Sequence, residues 1–349
     1  MTANTPTAIE DGDLMVPRVG ARLLKIATGY SSVWILLALG VISLVFSVMR
    51  PDAFATTFNW TNIAINASSL LILAAGQTFV IATSGVDLSV GSVLVFSSVI
   101  AAQTTISAGV ALGNPESSTA VIIGLLAGLV SGLAWGIFNG FLVAVAKVPP
   151  LIVTLGSLGM ALGFAEIMTG GNDVRGLPAA LTRTVGSGRL FGVIPWLVII
   201  AVIIATLAAL LLNTTKFGRY TLAIGSDEEA SRRNAIPVRL HLVKIYAMSG
   251  LLAGLTGWLS IARFGATTIN GHASANLDTI AGTVLGGTSL FGGVATIFGT
   301  VVGVFIPTVL QNGFTIIGVL PFWQNVAVGA VLIAAVYYDQ RRRKARSRR

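Results

Sequence analysis

NTTKFGRYTLAIGSDEEASRRNAIPVRLH, residues 213–241, is a charged island between two long apolar runs. Its reading decides the fold, because most of what flanks it belongs in a bilayer. The chain is 54% hydrophobic and only 10% charged, with a mean hydropathy of +0.86. A soluble domain carries about 25% charged residues. The expectation is therefore an all-α integral membrane protein in which a polar stretch this long is more than a connector. Ser226 and Glu229 have the spacing of a capping box, with the Ser226 hydroxyl accepting from the Glu229 amide and Glu229 reaching back. Pro237 is expected to stop the helix. The predicted element is a surface-lying helix of about 8–10 residues on the rim of a bundle, where something outside the membrane can push it.

Working outward, a span needs about 20 mostly apolar residues. Candidates fall near 32–49, 62–84, 89–107, 119–146, 151–169, 193–212, 243–262, 274–291, 294–316 and 322–338, a bundle of about ten transmembrane helices. The segment 274–291 is short and glycine-rich, so a re-entrant loop competes there. Charge arbitrates through the excess of Lys and Arg on the cytoplasmic side. With ten spans and both termini inside, only Arg50, Arg175, Arg183, Arg189 and Arg263 of the 22 basic residues fall outside. A re-entrant eighth segment would put the basic tail RRRKARSRR (341–349) outside. The organisation expected is a cytoplasmic tail 1–30, a transmembrane domain 31–338 with the cytoplasmic loop 213–241, and a basic cytoplasmic tail 339–349. The first 30 residues are mixed polar, with no evident cleavable signal, so the first apolar run should remain as a membrane helix.

The basic excess reads as positive-inside charge with attraction to anionic lipid, and not as a nucleic-acid surface. Trp34, Trp60, Trp196, Trp258 and Trp323 fall near predicted span ends, as an aromatic belt requires. Trp135 lies inside the fourth span and reads as helix packing before a sugar-stacking face. There are no cysteines, which excludes thiolate metal sites and cysteine nucleophiles. His241 and His272 lie far apart, and no metal site is expected.

Several blocks carry structure or chemistry. Gly124, Gly128, Gly132, Gly136 and Gly140 recur every fourth residue and form one stripe on which another helix can approach closely. In Ser84-Gly85-Val86-Asp87-Leu88-Ser89-Val90-Gly91, Gly85 suits a helix C-terminus and Asp87 the N-cap of the next helix. Gly85, Asp87, Ser89 and Gly91 are candidates for a cytoplasmic gate or docking element beside the island. Leu285-Gly286-Gly287-Thr288-Ser289-Leu290-Phe291-Gly292-Gly293 is too rich in glycine for a stable helix, and unwound backbone in a membrane must be buried in protein or line a cavity. Gly286 and Gly287 are pathway candidates with the uncharged mid-span residues Gln77, Asn139, Thr154 and Ser157. No ionisable residue is expected at the middle of a span, which argues against a proton-coupled carrier. No G-x-x-x-x-G-K-[ST] occurs, so ATP is not hydrolysed by a phosphate loop of this chain.

TSGVDLSVGS, KVPPLIVTLGSLGM, FGRYTLAIGSDEEASRRNAIPV, LDTIAGTVLGGTSLFGGVATIFGTVVG and NGFTIIGVLPFWQNVAVGAVLIAAVYYD, in this order over roughly residues 60–340, resemble the membrane permeases of bacterial ribose and simple-sugar ABC importers. The resemblance implies a bundle like that of type II ABC importers in the bacterial inner membrane. It implies a homodimer or a pair of similar permeases, and a periplasmic sugar-binding protein. ATP and Mg would sit on a separate cytoplasmic ATPase, with no cofactor held by this chain. The island then looks like the coupling helix, with Asp227, Glu228, Glu229, Ala230, Arg232 and Ile236 at the matching positions and Ser226 beside them as a further ATPase-coupling candidate. The chain departs from the family pattern at Asn234-Ala235, where a small-Gly step is common, and at Arg233, where Leu is usual. An ion-coupled secondary transporter of a small solute is the competing reading. The stretch 170–192, with Asp173, Arg175, Arg183 and Arg189, is expected to receive the binding protein.

Overall fold

A computed structural model describes residues 31–340 apart from positions 273, 321, 325, 331, 332, 335, 336, 338 and 339. The tail 1–30 and almost all of 339–349 lie outside the described residues. The chain is an all-α bundle. Its helices of six residues or more are α1 (Ser31–Met49), α2 (Thr57–Ala82), α3 (Val90–Ala111), α4 (Ser118–Ala144), α5 (Pro150–Thr169), α6 (Trp196–Thr214), α7 (Lys216–Ser226), α8 (Glu228–Arg233), α9 (Val238–Phe264), α10 (Ala275–Leu285) and α11 (Ile297–Ile316). Described residues between 322 and 340 are also helical. Among the described residues, α2, α3, α4, α5, α6, α9 and α11 are the seven helices long and apolar enough to cross a membrane. A two-residue hairpin, β1 (Arg189–Leu190) with β2 (Ile194–Pro195), forms the small strand pair before α6.

α2 and α9 form the centre, with most of each buried, whereas α4, α5 and α6 bury only narrow stripes. The α4 stripe explains its glycines. A β-carbon at Gly132 would sit 2.3 Å from the Gly250 carbonyl oxygen, and one at Gly250 would sit 2.2 Å from that of Gly132. Gly136 meets the Tyr246 carbonyl and Gly254 that of Gly128, each at 2.3 Å. The α4 and α9 backbones therefore touch with nothing between them. In a bilayer, such contact replaces the hydrophobic driving force that lipid cannot supply between helices.

The predicted span 274–291 is realised differently. α10 has 11 residues, about 16 Å at 1.5 Å per residue, roughly half of the 30 Å hydrocarbon core. The chain then leaves the helix at the glycine block and runs as turns to Ile297. α10 lies antiparallel to α11, with Gly282 against Val304 and Gly286 against Gly299. Trp258 also departs from expectation. It is 7% exposed and sits in the central core, not in a belt, because α9 extends to Phe264 and carries it a turn and a half inside the end. Trp60, Trp196 and Trp323 are at least 38% exposed.

Candidate coupling surface and polar cavity

α7 is the element the sequence reading missed. Thr215 caps it, its hydroxyl accepting the Gly218 N–H at 3.3 Å. Its inner face carries Gly218, Thr221, Ile224 and Gly225. The Thr221 hydroxyl and His241 Nε2 lie 2.9 Å apart. The Phe217 ring lies 5.9 Å from Phe79 and 4.4 Å from His241. Because α7 runs through Ser226, the predicted capping box does not form. Ser226 donates back to the Leu222 carbonyl at 2.9 Å. Asp227, in extended backbone, is the true N-cap of α8, accepting the Ala230 N–H at 2.9 Å. Pro237 is likewise corrected. α8 has already ended at Arg233, and Pro237 precedes α9 as its N-cap.

Only Ser231 of α8 is buried. A helix of six residues is far below the length that holds alone in water. It is supported by the Asp227 cap, by acids in its first turn and bases in its last, and by the ion pairs Glu228–Arg232 and Glu229–Arg233. Each exposed pair of this i,i+4 type contributes about 0.3–0.5 kcal/mol. Ala230, Arg232 and Ile236 lie at or partly below the same surface. Ala235 holds φ +58, a left-handed backbone that costs a residue with a β-carbon about 1–2 kcal/mol.

The root of this surface is a junction of three sequence blocks. A β-carbon on Gly225 would lie 1.8 Å from the Ala82 carbonyl oxygen and 2.6 Å from the Gly293 amide nitrogen. The Gly293 N–H donates to the Ala82 carbonyl at 3.0 Å. The Ser84 hydroxyl donates to the carbonyls of Phe291, at 2.9 Å, and Gly225, at 3.2 Å. The island, the 84–91 block and the glycine block thus meet backbone to backbone at the end of α2.

Within the 84–91 block, the left-handed residue is Ser84 (φ 62), not Gly85. The Ser84 and Gly85 amides close a Schellman end on the Ile81 and Val80 carbonyls. Gly85 is small for another reason, since its β-carbon would sit 2.8 Å from the Tyr246 hydroxyl. Asp87 is not the N-cap of α3 either; that position is Ser89. Asp87 Oδ1 accepts the Ser89 N–H at 2.9 Å and its hydroxyl at 2.6 Å, and Oδ2 accepts the Ser249 hydroxyl at 3.4 Å. This Asx turn draws the chain inward to Gly91, whose N–H donates to Asn276 Oδ1 at 2.7 Å.

The pathway candidates are placed as follows. Asn139 donates to the Ser89 hydroxyl at 2.9 Å, and Thr154 donates to the Val86 carbonyl at 3.2 Å. Ser157 accepts the indole N–H of Trp135, whose ring lies 5.1 Å from Phe96 in helix packing. Gln77 is fully buried with both amide atoms lacking a partner among the described residues. Gly286 abuts Gly299, and Gly287 takes φ +92 at the end of α10.

A separate cavity of about 270 Å³ opens between α2, α9, α10 and α11, and none of these candidates lines it. Its polar groups are Asn66 and Ser69 on α2, Ser260 and Arg263 on α9, and His272 and Ser274 before α10. Asp278 on α10 and Thr308, Gln311 and Asn312 on α11 complete the set. Leu70, Leu73, Leu94 and Phe264 supply apolar wall. Asp278, 7% exposed, accepts on Oδ2 from Ser274 at 3.1 Å and from Gln311 at 3.0 Å. His272 Nε2 and the Ser260 hydroxyl are 3.0 Å apart. Asn312 and Asn59 exchange two amide hydrogen bonds, at 2.9 and 3.0 Å, tying α11 to α2. The expectation of no ionisable residue at the middle of a span stands, yet two carboxyls near helix starts are buried: Asp87, in the turn before α3, and Asp278, in the first turn of α10. The sequence signal was Asp278 itself, in a segment whose other residues are neutral.

Away from the island, Asp173 accepts the Ile269 N–H at 2.9 Å, and Val174 and Thr267 pair at 2.8 and 3.0 Å. These bonds fasten the 170–192 stretch, whose Leu181 is buried in the core, to the segment that descends into the cavity. Arg175, Arg183 and Arg189 remain exposed.

Residues 59–336 match the family model described as branched-chain amino acid transport system / permease component. The fructose import permease protein FrcC of Rhizobium meliloti is 35% identical over 311 residues, 87% of this chain and 84% of that protein. The ribose import permease protein RbsC of Bacillus subtilis is 35% identical over 307 residues, 88% and 92% of the two chains. The galactose/methyl galactoside import permease protein MglC of Escherichia coli is 33% identical over 314 residues, 86% and 91%. No solved structure matches the chain.

Proposed function

The chain belongs to the permease family matched by its residues 59–336, and on that premise we propose that it is the membrane subunit of an ATP-driven importer for a monosaccharide or similar small neutral polyol. The observation that carries the reading is the Gly225 junction. It joins an exposed, capped, charged helix directly to the end of α2 and to the turn that follows α10. A push on α8 is thereby delivered to helices that wall the polar cavity. A ligand shifts a two-state equilibrium only through different affinity for the two states. Here an ATP-bound partner and a loaded binding protein supply that difference.

In this reading Ser226, Asp227, Glu228, Glu229, Ala230, Arg232 and Ile236 face a cleft in a separate cytoplasmic ATPase, which holds ATP and Mg. The 84–91 block rests beside it as the gate. The 170–192 stretch receives a periplasmic sugar-binding protein, and a second permease copy or paralogue completes the pore. The charge distribution supports both termini inside a bacterial inner membrane, with about ten crossings in a type II arrangement. α10 and its flanking turns make the eighth crossing. The ion-coupled alternative has no support from the family or the relatives.

The test is uptake of labelled D-ribose, D-fructose and D-galactose into proteoliposomes holding the permease, with the ATPase and binding protein added or withheld. Uptake that needs both partners and ATP is expected. Uptake driven by an ion gradient with neither partner would overturn the reading.

A further inference from the structure

Resting on that reading and going one step further, we propose that the cavity is a polyol-recognition site belonging to the permease itself. In it Asp278 accepts neighbouring hydroxyls of the passing sugar, and Arg263 at the end of α9 donates to another. Selection of the passenger then occurs twice, once on the binding protein and once inside the membrane.

The geometry points this way through what is left over. Asp278 spends Oδ2 on Ser274 and Gln311, both neutral donors. Oδ1 has no hydrogen bond among the described residues. A buried carboxylate with an unused oxygen costs stability unless something pairs it, yet it faces a cavity wide enough for a small solute. Arg263 lines the same cavity with its guanidinium 4.9 Å from the Phe264 ring centre. It makes no ion pair among the described residues, so the carboxyl and the guanidinium of this cavity are not paired with each other. Around them stand amides and hydroxyls from four elements, each able to give or accept a hydrogen bond. Planar forks and amides match adjacent ring hydroxyls, and the Phe264 and leucine wall suits the C–H face of a sugar.

A branched aliphatic amino acid is the rival suggested by the family description. It would use Asp278 for its ammonium group and Arg263 for its carboxylate. It would also need an aliphatic slot, whereas the polar lining residues Asn66, Ser69, Thr308, Gln311 and Asn312 occupy two of the walls. They would be desolvated against a hydrocarbon side chain. The lining therefore favours a neutral polyol.

The experiment uses the complete importer in proteoliposomes, comparing uptake of D-ribose, D-fructose, D-galactose, D-allose and L-leucine. The permeases compared are wild type, Asp278→Asn, Asp278→Glu and Gln311→Leu. ATPase stimulation by the loaded binding protein reports folding and assembly. Asp278→Asn is expected to retain that stimulation and to lower uptake of the preferred sugar roughly 10-fold, the effect of losing a hydrogen bond to a charged acceptor. It should also change the ranking among the sugars, with partial recovery in Asp278→Glu. Stimulation and sugar ranking both unchanged in Asp278→Asn and Gln311→Leu would overturn the inference and leave the importer reading intact. Loss of stimulation together with uptake in all three variants would also overturn it, by making Asp278 a structural residue. Import of L-leucine with exclusion of all four sugars by the wild type would overturn both.

Discussion

Ala235 carries a conformational cost in one backbone angle. Its φ of +58 ends α8 and turns the chain into α9. Glycine adopts this conformation without penalty, which explains physically why a small-Gly step suits the position. Ala235→Gly is expected to stabilise the protein by about 1 kcal/mol, the left-handed cost relieved less the extra chain entropy of glycine. Thermal unfolding in detergent checks it, and a lowered midpoint would contradict it. Asp227 works in the opposite sense. Asp227→Ala removes the N-terminal side-chain cap of a six-residue helix and should cost about 1 kcal/mol locally. The measurable outcome is weaker retention of the ATPase, with global unfolding unmoved.

At the scale of elements, the α4–α9 contact brings two backbones together over several successive turns. Gly132→Leu would drive a side chain into the Gly250 carbonyl and the Gly254 backbone, so the helices must separate. A severe loss of folded, monodisperse protein is expected, whereas Gly156→Leu on α5, with open space beside it, should be tolerated. The loop before α4 carries a pH-sensitive clasp. Glu116 accepts the Ala180 N–H at 3.0 Å and the Ala179 N–H at 3.1 Å. These two donors, Ala180 first, hold its carboxyl below the usual range. A depressed carboxyl stabilises the folded form above its unfolded pKa and loses that contribution as pH falls through the folded value. Hydrogen exchange at Ala179 and Ala180 should therefore accelerate in acid beyond the intrinsic trend at neighbouring amides, and Glu116→Gln should abolish the difference.

Much of this architecture was legible. The glycine stripe, the apolar runs and the family blocks depend on local pattern, and the helices fall within a few residues of the expected spans. The island misled because the capping-box spacing of Ser226 and Glu229 set the start of its helix, and its first half was assigned no element. Phe217, Thr221 and Ile224 recur at helical spacing, and this amphipathic pattern of α7 shifted the cap from Ser226 to Asp227. The cavity was not legible, because α2, α9, α10 and α11 each lend it side chains that read singly as interhelical polar contacts. Only the fold makes them converge.

For the whole molecule, the junction at the end of α2 links the segment carrying the exposed charged helix to two of the helices that wall the cavity. Gly225→Ala places a methyl group 1.8 Å from the Ala82 oxygen and must push α7 off the bundle. The expected result is an ATPase that still binds and still turns over while sugar uptake falls at least tenfold. Uptake and turnover remaining in proportion would show that force takes another route.

The half-length of α10 has a further consequence. A helix that spans the bilayer satisfies its own amides and melts as one piece. The stretch from Gly286 to Thr296 instead borrows partners, among them Ala82 for Gly293. Its order is thus on loan from neighbours, and such regions open at lower free energy than the core. Warming or mild urea should loosen this corner before the rest of the bundle, so that the first thing lost is the seal between the two sides and not the folded shape.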